Sequence, residues 1–135
     1  MAGYSRTPLW KKLGYKAEMT ACVYSAPNSY LRQLRLPPDV SVKWVKHPTA
    51  GIDFVHLFTA SRADLGAKLQ SLRHSIAPGG MVWVSWPKKT SGVPSEITED
   101  LVREVALPLG FVDIKVCAVD EIWSGLKLVI RKENR

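Results

Sequence analysis

The residues of this chain that could hold a ligand stand just after runs of apolar residues. Each run has the composition of a buried strand, and in an open parallel sheet ligands bind beyond the carboxyl ends of the strands. We therefore expect these side chains to share one edge of a sheet, where indole rings and cations together suit a planar anionic ligand. The candidate ligand-binding residues are Ser25, Asn28, Ser61, Arg62, Trp86, Lys88, Lys89, Asp120, Trp123 and Ser124.

The sequence contains no complete set of catalytic residues. Cys22 and Cys117 lie in apolar, strand-like runs, which predicts reduced core thiols and not nucleophiles. His56 also lies in an apolar run and is predicted to be a hydrogen-bonded core histidine; the three histidines are too scattered to bind a metal. Asp120 and Glu121 could supply acid–base chemistry, but adjacent side chains tend to point in different directions. Catalytic residues are therefore left unassigned, and no metal site is expected.

Composition indicates a folded domain and excludes a disordered or membrane-spanning chain. The 135 residues are 46% hydrophobic and 23% charged, and five tryptophans can bury a substantial core. The longest apolar stretches, at residues 52–60 and 81–86, fall far short of the roughly 20 residues of a spanning helix. The N-terminus has no apolar signal region, so we expect a cytoplasmic protein that does not associate with membranes.

Positive charge is concentrated in the N-terminal third. The formal net charge is +7, and residues 1–38 contain six basic residues and one acid. Such a surface attracts anionic partners, so the expected partners are an anionic small molecule or, alternatively, a nucleic acid. A merely solvated basic face is the simpler interpretation, because no zinc-finger spacing or RNA-binding aromatic motif is present. The six basic residues are Arg6, Lys11, Lys12, Lys16, Arg32 and Arg35.

Short helices and strands are predicted from turn residues and apolar runs. A helix at residues 7–14 has Thr7 as its cap and Gly14 as its left-handed end. A second short helix, opened by a proline, is expected to carry Leu31 and Leu34 on one side. Strands are predicted at residues 20–25, 40–45, 52–58, 81–86, 111–119 and 126–131.

Two longer helices are predicted from helical periodicity. Ser61 is placed to cap the first of them, and a turn at residues 78–80 follows it. The second helix runs from Ser95 or Thr98 to Leu107. The apolar face of the first helix is formed by Leu65, Leu69, Leu72 and Ile76.

Strands that alternate with helices predict one three-layer α/β domain over residues 1–135. Its sheet should have about six mostly parallel strands and an antiparallel last strand, since only a short turn joins the last two. The last strand is expected beside the one at residues 81–86. This arrangement predicts that Trp86 and Trp123 lie on one side of a shared pocket, with Lys88 or Lys89 at its mouth.

Two sets of motifs carry a resemblance to known families. The aspartate-led run at residues 53–57, a helix, and then Pro78, Gly79 and Gly80 resemble the second half of Rossmann-like S-adenosylmethionine-dependent methyltransferases. Residues 84–89, 98–104 and 120–127 resemble a small bacterial family catalogued as domain of unknown function 3052. This second resemblance covers nearly the whole chain. It implies a Rossmann-like fold and brings no activity with it.

Three departures from the methyltransferase pattern bear on the cofactor. In that family a glycine-rich turn after the first strand approaches the cofactor, whereas residues 25–29 here contain no glycine. In that family an acidic residue at the end of the second strand accepts the ribose hydroxyls, whereas Lys46 and His47 follow that strand here. The short spacing before Asp53 indicates that one strand and one helix are missing. No cofactor is therefore expected, and S-adenosylmethionine is the alternative.

Three functions fit these observations. The leading hypothesis is a Rossmann-like domain without methyltransferase activity that binds an anionic small molecule or partner at the carboxyl edge of its sheet. The second is a degenerate or atypical S-adenosylmethionine-dependent methyltransferase that holds its cofactor in another way. The third is a basic nucleic-acid or protein adaptor that works through the N-terminal third.

Overall fold

The computed structural model describes residues 7–135. Arg6 of the basic N-terminal segment, and the first six residues of the predicted domain, lie outside the described residues. The helices and strands follow the predicted order. They are α1 (Leu9–Leu13), β1 (Thr20–Tyr24), α2 (Tyr30–Leu34), β2 (Lys43–Trp44), β3 (Ile52–Phe58), α3 (Arg62–Ser75), β4 (Ile76–Pro87), α4 (Glu99–Leu109), β5 (Phe111–Ala118) and β6 (Trp123–Ile130), with short 3-10 helices at Lys89–Ser91 and Lys132–Asn134.

The six strands form one sheet in the order β2-β1-β3-β4-β6-β5. The first four strands in this order are parallel, and β6 is antiparallel to both of its neighbours. Helices α1 and α2 cover one face, and α3 and α4 cover the other. The predicted three-layer α/β fold with an antiparallel last strand is confirmed, and so is the pairing of β4 with β6.

The chain passes directly from β2 to β3, with no further strand or helix between them in the described residues. The predicted loss of a strand and a helix before Asp53 is therefore confirmed, and β2 is left as a two-residue edge strand. The strands that follow β1 in sequence, β2 and β3, pair with opposite sides of it. The carboxyl end of β1 thus lies where the strand order reverses, which is the usual place for a ligand in this class of sheet.

Each face of the sheet has its own apolar core. Leu65, Leu69 and Leu72 of α3 are buried against one face, and each such side chain contributes about 1.5–3 kcal/mol. On the other face, Phe54 stacks on Tyr15 with ring centroids 4.0 Å apart. No helix in residues 7–135 has the length and apolar character needed to cross a membrane.

Side-chain caps determine where the two longer helices begin. The Ser61 hydroxyl accepts a hydrogen bond from the Asp64 amide at 3.3 Å, as predicted. The Thr98 hydroxyl accepts one from the Leu101 amide at 3.1 Å, so α4 begins after Thr98 and not after Ser95. For α1 the cap is Pro8, one residue later than predicted.

Three local predictions were wrong. Ile76, assigned to the face of α3, is the first residue of β4, and the expected turn at residues 78–80 lies within that strand as an irregularity. The backbone passes so close to β3 there that a Cβ on Gly80 would lie 2.9 Å from the Asp53 carbonyl oxygen. Leu31, expected on the same side of α2 as Leu34, is 58% exposed, because Tyr30 takes the buried position next to Leu34.

Candidate functional site

Two cavities open at the carboxyl edge of the sheet, on either side of the first turn of α2. The first has a volume of about 550 Å³ and lies between the β1–α2 turn and the end of β2. The second has a volume of about 320 Å³ and lies between α2 and the turn that joins β5 to β6. Pro27 borders both. The first cavity is lined by Val23, Ser25, Ala26, Pro27, Asn28, Tyr30, Leu31, Trp44, Val45 and Lys46.

The first cavity combines an aromatic wall with one cation. Trp44 is 38% exposed, and Lys46 is the only charged residue among the described residues that line the cavity. The thiol of Cys22 donates to the Lys46 carbonyl at 3.6 Å and so ties this end of β2 to β1. On the opposite wall, Ser25 has φ of 58°, a left-handed conformation that usually favours glycine. Backbone strain of this kind, of order 1 kcal/mol, is found most often at functional sites.

The second cavity is built around Asp120. One of its carboxylate oxygens accepts hydrogen bonds from the amides of Ile122 and Trp123, both at 2.8 Å, and the other accepts one from the Gln33 amide nitrogen at 3.3 Å. The Gln33 side-chain oxygen is buried without a partner in the described residues. Asp120 therefore holds the β5–β6 turn, and Gln33 supplies a free acceptor. The cavity is lined by Pro27, Ser29, Gln33, Asp120, Glu121, Ile122 and Trp123.

Lys88 supports this turn and does not stand at the mouth of a pocket. Its amide donates to the Ile122 carbonyl at 2.7 Å, and its ammonium group donates to the Asp120 carbonyl at 2.8 Å. Lys89, in the following 3-10 helix, is exposed and lines neither cavity. The expectation of a lysine at the mouth of an indole pocket was therefore wrong for both residues.

The two indoles share an edge of the sheet but lie on opposite faces. Trp86 is paired across the strands with Ser124, and Trp123 is paired with Pro87. Because successive side chains in a strand alternate between faces, this register sends the two rings apart. Trp86 is 7% exposed in the core under α3 and α4, whereas Trp123 packs edge-on to Phe58 on the other face. The predicted shared pocket was wrong.

The remaining candidates lie away from both cavities. Ser61 caps α3, and Ser124 lies opposite Trp86. Arg62 is paired with Glu104 on α4, with a nitrogen–oxygen distance of 3.8 Å. Of the ten sequence candidates, Ser25 and Asn28 line the first cavity, and Asp120 and Trp123 line the second.

A buried chain of hydrogen bonds runs under the helices of the second face. The Tyr15 and Tyr30 hydroxyls are 2.6 Å apart, the Tyr30 hydroxyl is 2.7 Å from His56 Nδ1, and His56 Nε2 is 2.7 Å from Ser85 Oγ. Burial lowers the pKa of His56 to about 3, so the ring is neutral. The predicted core histidine is confirmed. Ser85 and His56 have the spacing of a nucleophile and its base, but both are 0% exposed and no substrate can reach them.

The thiols are poorly suited to nucleophilic chemistry. Cys22 is fully buried and Cys117 is half-buried, and both are free. Burial raises the pKa of each thiol, which reduces the thiolate fraction near neutral pH. No group of three or more His, Cys, Asp or Glu side chains in residues 7–135 is arranged to hold a metal ion.

Sequence reasoning missed Trp44, Lys46 and Gln33 as lining residues. A signal for Lys46 was present, since it follows the second strand and the carboxyl ends of parallel strands meet at one edge. Trp44 was assigned to the strand at residues 40–45 but not to a site. Gln33 reaches the second cavity only because α2 packs beside a turn 87 positions away in the chain.

The fold is similar to that of solved methyltransferases. A S-adenosylmethionine-dependent methyltransferase from Aquifex aeolicus matches with a TM-score of 0.67 at 18% identity, over 90% of this chain and 87% of that one. Aeropyrum pernix fibrillarin with natively bound S-adenosylmethionine matches with a TM-score of 0.58 at 11% identity, over 95% of this chain and 71% of that one. A pericyclic reaction enzyme matches with a TM-score of 0.60 at 12% identity, over 93% of this chain but only 47% of that one.

These structural matches show a shared fold. No family model matches the sequence, and no curated protein matches it. The resemblance to domain of unknown function 3052 is therefore not confirmed. The methyltransferase-like, Rossmann-like fold implied by the other resemblance is confirmed.

Proposed function

We propose that this chain is a binding domain for a small molecule with a planar part and an anionic group, held in the first cavity. The observation that carries the proposal is the exposed Trp44 beside Lys46, in a cavity that no carboxylate of residues 7–135 lines. An indole face takes a planar group by stacking, and an ammonium group attracts a phosphate or carboxylate.

The affinity of this site is expected to be modest. Lys46 is exposed, and an exposed ion pair contributes about 1 kcal/mol or less. Stacking on the indole adds about 1–3 kcal/mol. Ser25 and Asn28 are exposed on the facing turn and can hydrogen-bond the polar part of a ligand. The ion pair and the stacking together supply about 2–4 kcal/mol, which corresponds to binding in the millimolar range or weaker.

S-adenosylmethionine, which the fold implies, does not fit this cavity in the manner described for the methyltransferase family. The described lining residues offer no carboxylate to accept ribose hydroxyls, and Lys46 lies two residues after the end of β2. The β1–α2 turn keeps a left-handed backbone at Ser25, but a side chain is present where the family has glycine. The alternative function, an atypical methyltransferase, is supported by the likeness to structures of such enzymes. We derive no catalytic step from it.

Calorimetry with three probes tests the proposal. Adenosine monophosphate should bind the wild-type protein more tightly than adenosine, because only the monophosphate carries an anion for Lys46. Lys46→Gln should remove this preference. Trp44→Ala should weaken the binding of both the monophosphate and adenosine at least fivefold. Lys43→Gln is the matched control, because Lys43 is an exposed lysine on β2, three residues before Lys46, and does not line the cavity. A ligand at 100 times its Kd should also stabilise the fold by about 2.7 kcal/mol.

Two outcomes would overturn the proposal. Equal binding of the monophosphate by wild type and Lys46→Gln would show that the anion is held elsewhere. The third probe, S-adenosylmethionine, tests the alternative function. If it binds more tightly than the monophosphate, and if Lys46→Gln does not change its binding, an atypical methyltransferase is favoured.

A further inference from the structure

Four lysines converge on the part of the α1–α2 face that the helices leave open. We name Lys12, Lys16, Lys115 and Lys127 the lysine cluster. Lys115 on β5 and Lys127 on β6 are direct cross-strand partners. The Lys115 ammonium donates to the Lys12 carbonyl at 3.3 Å, which brings the end of α1 to this place. The Lys127 ammonium lies 3.9 Å from where a Cβ on Gly14 would be, at the start of the segment that carries Lys16.

No member of the lysine cluster forms an ion pair within residues 7–135. The ion pairs of the described chain join residues of α3, α4 and β5. Like charges that face each other directly across two strands destabilise the pair. Burial lowers the pKa of Lys127, and the neighbouring Lys115 and Lys16 lower it further. An anion bound here would relieve this repulsion.

Protection of the sheet edge does not account for the arrangement. Lysines on edge strands discourage pairing with another chain, which accounts for Lys115 on β5. Lys127 lies on β6, which is paired on both sides, and it is directly opposite Trp83 of β4. Trp83 is fully buried and donates to the Leu13 carbonyl at 2.7 Å. The charge of Lys127 thus lies at the border of the core, where protection of a sheet edge does not explain it.

We propose that the lysine cluster binds the phosphate backbone of a nucleic acid strand. Lysine ammonium groups bind phosphate as point charges, and a nucleic acid strand carries one negative charge at every nucleotide, so a single strand can contact several members of the cluster at once. Contacts to phosphates carry no sequence information, so the binding should be independent of base sequence. This surface is separate from the first cavity, which lies at the carboxyl ends of β1 and β2.

Fluorescence anisotropy with a fluorescein-labelled 20-nucleotide oligouridylate tests the proposal. Four phosphate contacts to a single strand predict a slope of log K against log salt of about −2.8, or about 50-fold weaker binding at 200 mM than at 50 mM salt. The double variant Lys115→Gln with Lys127→Gln should retain about half of this slope. Its binding should therefore weaken only about sevenfold between 50 mM and 200 mM salt. It should also unfold at no lower temperature than wild type, because a repulsion is removed.

The control is the variant Lys89→Gln with Lys132→Gln, which makes the same change in net charge at two exposed lysines outside the cluster. Its salt slope should equal that of wild type. Identical slopes for the two double variants, or no binding by wild type at 50 mM salt, would overturn the proposal. If polyglutamate at equal charge concentration displaces the oligonucleotide, the proposal of a nucleic acid partner is overturned, and an acidic protein becomes the expected partner.

Discussion

Acid should destabilise this protein through His56. The ring is fully buried between Tyr30 and Ser85, with both nitrogens 2.7 Å from a hydroxyl, and burial lowers its pKa from 6.5 to about 3. The unfolded chain therefore binds a proton at this residue between pH 6.5 and pH 3, whereas the folded protein does not. Stability must fall as the pH falls through this window.

The size of the effect follows from the two pKa values. Between pH 7.5 and 4.5, the stability changes only over the two pH units below 6.5, the pKa of His56 in the unfolded chain. Each of these units is worth about 1.36 kcal/mol. The expected loss is therefore about 2.7 kcal/mol, a large share of the 5–15 kcal/mol that is typical of a domain.

Urea unfolding at half-unit pH steps measures this loss. Wild type should lose about 2.7 kcal/mol more than His56→Gln between pH 7.5 and 4.5, because the variant cannot take up the proton. His74→Gln, an exposed residue of α3, is the control and should behave as wild type. Carboxylates such as Asp113, whose pKa is lowered by the hydrogen bond from Arg103, contribute equally in all three proteins.

The reasoning would be refuted by equal acid losses in wild type and His56→Gln. If His56→Gln does not fold, the ring resonances of His56 in the wild-type protein provide a second measurement. They should show no protonation shift down to pH 4.5, and a midpoint near pH 6 would contradict the argument.

Three further changes have expected magnitudes that urea unfolding at neutral pH can check. Gly80→Ala should cost about 1–3 kcal/mol, because its Cβ would be 2.9 Å from a backbone oxygen, whereas Gly79→Ala meets nothing within 4 Å and should change stability by less than about 0.5 kcal/mol. Equal losses for the two would show that the close approach is absent. Tyr30→Phe should cost about 2–4 kcal/mol, since it leaves two buried polar groups without a partner, and a loss below 1 kcal/mol would contradict the hydrogen-bonded chain. Trp86→Ala should cost about 3–5 kcal/mol without affecting ligand binding in either cavity.

Much of the fold could be predicted because its signals are local. The apolar run at β3 is long enough to identify a central strand, and Ser61 followed by Asp64 identifies the start of α3. The short strand β2 was predicted too long, at residues 40–45 instead of Lys43–Trp44, because alternation alone does not show where pairing with a neighbour ends.

The candidate site was predicted only in part. Ser25 and Asn28 were found because the end of β1 is visible in the sequence. Lys88 and Asp120 have the residue types of a site, but their hydrogen bonds stabilise the β5–β6 turn. Residue type does not distinguish a ligand contact from a turn contact, since both use the same donors and acceptors.

The sequence by itself determined the order of helices and strands, the edge at which the strands end, and the burial of His56. Each of these depends on residues that are close together in the chain. Only the tertiary structure decided on which face each indole lies, because a register change of one residue moves a side chain to the opposite face of a sheet. The pairing of Lys115 with Lys127 was decided in the same way. No local pattern records which residue of β5 stands opposite which residue of β6, since packing of the whole sheet sets that register.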